Sequence, residues 1–169
     1  WWNPMAYSPD KQMLFVPSRE ICTDIMSKKG EREEGKPHWG IGSIKWNKGH
    51  GQLVAFDAKS GEKKWTVQAP SPFMSGVLTT GGSLVFAGTP EGEFKAYDQD
   101  SGKELWSYQT GSGIVGSPVS YSIGGKQYVA VPSGFGGWTG WATIGGGGAP
   151  QLKDSRKGGY VTVFGLFED

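Results

Sequence analysis

Few side chains in this sequence could do chemistry, and their spacing decides what each can do. His38 and His50 are the two histidines, twelve residues apart with no cysteine beside them. That is not the ligand spacing of a zinc site. Cys22 is the single cysteine, so an internal disulfide framework is excluded. From its type alone it reads as a small buried thiol. The stretch "GSGIVG" (111–116) satisfies G-x-G-x-x-G, but Pro118 follows and the pattern runs into a strand. A pyrophrosphate-binding turn needs a helix N-terminus there, so a dinucleotide site fails on structure. "IGGGGAP" (144–150) lacks the Lys-Ser/Thr of a phosphate loop and reads as flexible surface. The mixed-sign run "KKGEREEGK" (28–36) reads as a solvated loop. What remains is a pair of carboxylates, Asp57 and Asp98, in one repeated setting. "AFDAKSGEKKW" (55–65) returns forty-one residues later as "AYDQDSGKELW" (96–106).

The chemistry of that setting is turn-building. An Asp side chain can accept from the backbone N–H groups of the residues after it, and a Gly four residues on can take a positive φ. Asp57 with Gly61, and Asp98 with Gly102, have that offset. Trp65 and Trp106 then stand on the strand that leaves each turn. Each is large enough to wedge against a neighbouring sheet, and burying an indole supplies a few kcal/mol at ~25 cal/mol per Å².

The elements that position these turns follow from alternation. "GVLTTGGSLVFAGT" (76–89) is a strand, a Gly-Gly turn and an apolar strand; "GEFKAYD" (92–98) and "KELWSYQTG" (103–111) are two more. That is a four-stranded antiparallel meander over residues 76–111. A first unit spans 4–69, with an insertion at 19–50, and a third spans 116–167, with a Gly-rich insertion at 135–158. The third has no fourth strand and no Trp at the repeated place. In strand 53–57, Leu53, Ala55 and Asp57 share one face while Val54 and Phe56 share the other. Both faces are largely apolar, which suits a sheet held between two neighbours. The expected fold is all-β: a partial β-propeller of about three four-stranded blades, the last lacking its outer strand. A four-bladed ring or a β-sandwich is the structural alternative.

Composition agrees. The 29 Gly and 10 Pro call for many tight turns, while 13% aromatic residues and eight Trp argue against disorder. With 17 Lys and Arg against 16 Asp and Glu, the charge balance offers nothing to nucleic acid or an anionic membrane.

The tandem AxDxxSGxxxW motifs resemble those of the quinoprotein alcohol dehydrogenases, eight-bladed propellers that use pyrroloquinoline quinone (PQQ). "WNPMAYSP", "GVLTTGGSLVFAGTPEGEFKAYD", "QTGSGIVGSPVSY" and "GKQYVAVPSGFGGW" are similar to that family's C-terminal third. The resemblance implies oxidation of primary alcohols and passage of electrons to a cytochrome c in the periplasm. It implies PQQ with a calcium or lanthanide ion in the complete enzyme, and neither held by this chain alone. It also places the catalytic base and the metal ligands upstream of residue 1, so no catalytic or metal-binding residue is expected here, and the isolated chain is expected to be inactive.

One wall of the active site remains. The family's cofactor-contacting Asn, counted back from Tyr7, falls on Trp1 rather than Asn3. A cofactor-contacting Trp before the "GVLTT" strand corresponds to Met74, whose thioether cannot donate a hydrogen bond. Trp138 in "GFGGWTG" matches a Trp lining the alcohol pocket. Cys22 matches a cysteine that pairs, in the family, with one upstream. The expected partners are the remaining blades, a cytochrome c, a small alcohol and, for the isolated chain, further copies of itself. A cofactor-free propeller acting as a scaffold of the cell envelope is the alternative from another functional class.

Overall fold

The fold was analysed in a computed structural model, which describes residues 3–36, 38, 40–137 and 149–166. Three antiparallel sheets carry the chain. The first contains β1 (Ala6–Ser8), β2 (Met13–Glu20), then β5 (His50–Asp57) and β6 (Lys63–Ala69), in that spatial order. Between β2 and β5 the insertion forms a separate two-stranded ribbon, β3 (Thr23–Ser27) with β4 (Ile41–Trp46). Alternation in the sequence gives little sign of this ribbon, because its residues are nearly all exposed. The charged run 28–36 lies wholly exposed in the connection between its strands. The second sheet is a meander of β7 (Val77–Thr79), β8 (Leu84–Gly88), β9 (Glu93–Asp98) and β10 (Glu104–Gln109). The third has β11 (Val119–Ile123), β12 (Lys126–Ser133) and β13 (Tyr160–Gly165). A 3-10 turn at Pro150–Leu152 lies between the last two strands.

The sheets stack face to face as blades of an open β-propeller. Phe15, Leu53 and Ala55 of the first sheet pack with Val77, Val85, Ala87 and Tyr97 of the second in one core. On the second sheet's other face, Phe86 and Phe94 pack with Val129, Val131 and Phe164 of the third. Period-2 alternation sends successive residues of β8 and β9 into these two different cores. A middle sheet buried on both faces therefore needs the continuous apolar runs its sequence has. The third sheet's far face carries Val119, Tyr121, Val161 and Val163, all exposed.

The repeated turns form as their residue types require. Asp57 accepts from Lys59 N at 3.0 Å and Ser60 N at 2.7 Å, and Gly61 sits at φ +73°. Asp98 accepts from Ser101 N at 2.8 Å and Ser101 Oγ at 2.6 Å, with Gly102 at φ +70°. Bonding to Ser60 holds the Asp57 carboxyl below the usual carboxylate range, and bonding to Ser101 does the same for Asp98.

Candidate functional site

Antiparallel order sorts the connections to two ends. The Asp-Ser-Gly turns close β5–β6 and β9–β10 at one end. The start of β1, the loop 70–76, the turn 89–92, the connection 110–118 and the ends of the insertion, 134–137 and 149–159, all lie at the other. Cross-sheet bonds keep these ends aligned. Lys11 Nζ reaches Asp100 Oδ2 at 2.6 Å among the tight turns, while Asn3 Nδ2 donates to Phe73 O at 3.0 Å at the opposite end. Met74, in the loop 70–76, thus belongs to the end with long loops, opposite the Asp57 and Asp98 turns.

Trp1 and Trp138 lie outside the described residues. Met74 is buried, at 2% exposure, and packs with Ala149 and Leu152 of the insertion, with Val115 and Phe135 against the same cluster. An unbranched thioether suits such an irregular gap. Its loop is held rigidly. Ser75 Oγ donates to Gly88 O at 2.8 Å and accepts from Gly88 N at 3.2 Å. Gln151 Nε2 donates to Ser71 Oγ at 2.6 Å and to Pro70 O at 3.2 Å, pinning the insertion onto the same loop. The loop bearing Met74 and residues 149–152 therefore form one packed unit.

Asn3, which the sequence comparison passed over, carries the polar signal at this end. It is 7% exposed; its amide nitrogen is engaged with Phe73 O beside Met74, and its Oδ1 is buried without a donor. A buried acceptor left open is costly unless something donates to it. A ligand N–H or O–H would fit it, and nothing in its residue type alone could have announced this. Half-burial pulls the Arg19 guanidinium at the end of β2 down to about 10, which still leaves it charged at neutral pH.

Other candidates resolve plainly. Residues 111–116 connect β10 to β11 with no helix following, so no pyrophosphate site forms. His50 lies 3.5 Å from Glu20, and among the described residues no three His, Cys, Asp or Glu come together to hold a metal ion. Cys22 is a free, exposed thiol, not the buried one its type suggested, because it stands where the chain leaves β2 for the protruding ribbon. Among the described residues no helix is long and apolar enough to cross a membrane.

Residues 41–129 match the family model described as the PQQ glucose/ethanol/alcohol dehydrogenase β-propeller domain. The chain is 42% identical over 168 residues to the quinoprotein alcohol dehydrogenase PedH of Pseudomonas putida, covering 98% of this chain and 28% of that protein. It is 41% identical over 168 residues to a quinoprotein ethanol dehydrogenase of Pseudomonas aeruginosa, covering 98% and 27%. Among solved structures, a europium-containing methanol dehydrogenase superposes with a TM-score of 0.84 at 32% identity, covering 97% of this chain and 32% of that one. The chain thus spans under a third of the length of these relatives.

Proposed function

Since this chain belongs to the PQQ-dependent alcohol dehydrogenase β-propeller family, we propose that it forms the C-terminal blades of a quinoprotein dehydrogenase that oxidises primary alcohols and passes electrons to a cytochrome c in the periplasm. The observation that carries this reading is the packed loop end. Asn3 and residues 149–152 pack there against the one loop 70–76, which carries Met74. Remaining blades of a longer chain would complete the funnel, bringing the base and the calcium or lanthanide ligands.

Bound PQQ would supply the two-electron acceptor. The residues of this chain would hold and shape. Asn3 Oδ1 would accept a hydrogen bond from the cofactor side, its own amide being fixed by Phe73 O. Met74 would fill space without donating. Trp1 would contribute a further contact to the cofactor. Trp138 would bound the alcohol pocket and exclude water from it.

The test uses the complete protein reconstituted with PQQ and calcium or a lanthanide, with an artificial dye as acceptor. Alcohol-dependent dye reduction is expected, and Trp138→Ala should change alcohol preference and KM more than PQQ retention. No PQQ binding by the complete protein would overturn the reading. Loss of PQQ with unchanged alcohol selectivity in Trp138→Ala would move Trp138 into the cofactor shell. The 169-residue chain alone, given the same additions, should show no turnover above a heat-treated control.

A further inference from the structure

At the turn between β8 and β9 a carboxylate is buried without a partner. Both side-chain oxygens of Glu91 are closed off from solvent, and no donor reaches either. The turn does not need that side chain. Gly92 N donates to Thr89 O at 3.0 Å, Thr110 N to Gly92 O at 2.8 Å, and Gln109 Nε2 to the Glu91 backbone oxygen at 3.3 Å. A carboxylate stripped of water has to be matched by opposite charge or by donors.

Glu91 faces a cleft of about 440 Å³ that it shares with Gln109, Ser112, Asp154, Ser155 and Arg156. This cleft contains none of the residues assigned above to the cofactor or the alcohol. Its candidate donors are all oxygens: two carboxylates, one amide oxygen and two hydroxyls. Gln109 Oε1 accepts from Gly111 N at 2.8 Å and keeps a second lone pair. No imidazole or thiolate lines the cleft, so the set suits a hard cation and not zinc or copper. Its two sides are already tied, because Ser112 Oγ donates to Arg156 O at 2.7 Å. Arg156 itself is exposed.

We propose that this cleft binds a calcium-class divalent cation, with Glu91 as its buried carboxylate ligand and Asp154 bringing the second charge from the connection between β12 and β13. The ion would clamp that connection to the second sheet. Two carboxylates, one of them on an exposed loop segment, set the affinity in the weak range of ~0.1–1 mM.

The experiment is equilibrium dialysis of the complete, chelator-stripped protein against calcium alone, repeated with magnesium. Glu91→Gln should lose one bound calcium per chain, whatever other ions the protein holds. Asp154→Asn should weaken that ion by about 10-fold, the charge count of the site being halved, and magnesium should compete poorly. Calcium should also slow proteolytic cleavage within 153–157 in the unsubstituted protein but not in Glu91→Gln. Should Glu91→Gln not fold, Asp154→Asn, an exposed position, still tests the site through its weakened calcium affinity. Unchanged calcium binding in the variants overturns the proposal. So does equal, non-additive destabilisation by Glu91→Gln and Arg156→Gln without any calcium effect, which would make the partner Arg156 itself.

Discussion

The two clefts between neighbouring sheets are built from one plan and finished differently. Between the first and second sheets, Trp65 donates its indole N–H to Gln99 O at 2.9 Å, and its ring lies over Gly102. Gln99 is 1% exposed and plugs the cleft, its Nε2 donating to Leu84 O at 2.8 Å and Thr80 O at 3.1 Å. Between the second and third sheets, Trp106 stays 40% exposed, edge-on to Phe164 at 5.1 Å. The ladder of β12 and β13 ends with Gly165 opposite Tyr128, where the earlier ladders end with Asp57 opposite Met13 and Asp98 opposite Leu84. With Gly in the Asp place, position 165 has no carboxylate to accept from following backbone N–H groups. Leu166, in the place of Gln99, is 90% exposed, and a cavity of about 310 Å³ opens beside Trp106. Apolar faces bring two sheets together, but a turn that offers a carbonyl and a bare glycine is what seats the indole.

The largest expected effect separates the two tryptophans. Trp65→Ala removes a packed ring and a part-buried hydrogen bond, and should cost ~3–5 kcal/mol in this chain. Trp106→Ala removes a ring already wet on one side and should cost ~1–2 kcal/mol. Equal denaturant midpoints for the two variants would show that the second cleft is as closed as the first.

Glycine supplies the next contrast. Gly61 and Gly102 have nearly the same positive φ, so an added Cβ meets similar backbone strain at both. At Gly61 that Cβ would meet open space, whereas at Gly102 it would lie 2.7 Å from Trp65 Cε3. Gly61→Ala should therefore cost ~1 kcal/mol from strain alone. Gly102→Ala should cost ~1–3 kcal/mol more, because the ring must be displaced. If both cost the same, the indole is not seated on Gly102.

The repeated turns were legible because Asp, Gly and Trp at fixed offsets admit few other geometries. The middle sheet was legible because burial on both faces writes an unbroken apolar run. Equal weight on Trp65 and Trp106 was where repetition misled, since the difference lies in the receiving turn and not in the Trp. The ribbon β3–β4 was hidden by its exposure: Ile25 pairs with Ile44, but both face solvent, so no amphipathic period marks the strands. The candidate site was legible only as an end of the molecule. That Asn3 carries the open acceptor depends on a bond to Phe73, seventy residues away, which no local pattern records.

The smallest expected effect compares the aromatic residues at one place in the two clefts. Tyr97 and Phe164 each precede the last ladder position of their strand, Tyr97 in the first core and Phe164 against the second. Tyr97 is 3% exposed, and burial pushes its phenol up to about 12, with Glu104 and Glu93 adding to the rise and Lys95 opposing it. An unfolded tyrosine ionises near ~10. The raised group therefore contributes stability that is complete below pH ~10 and is lost as pH rises towards 12. At pH 11 the loss is about 1 kcal/mol relative to a chain without the phenol. Tyr97→Phe should remove that increment of alkaline instability. Difference measurements of denaturant unfolding at pH 9 and pH 11 isolate it. Identical pH dependence in Tyr97→Phe and the unsubstituted chain would mean that water reaches the phenol, and that the first cleft is no drier than the second.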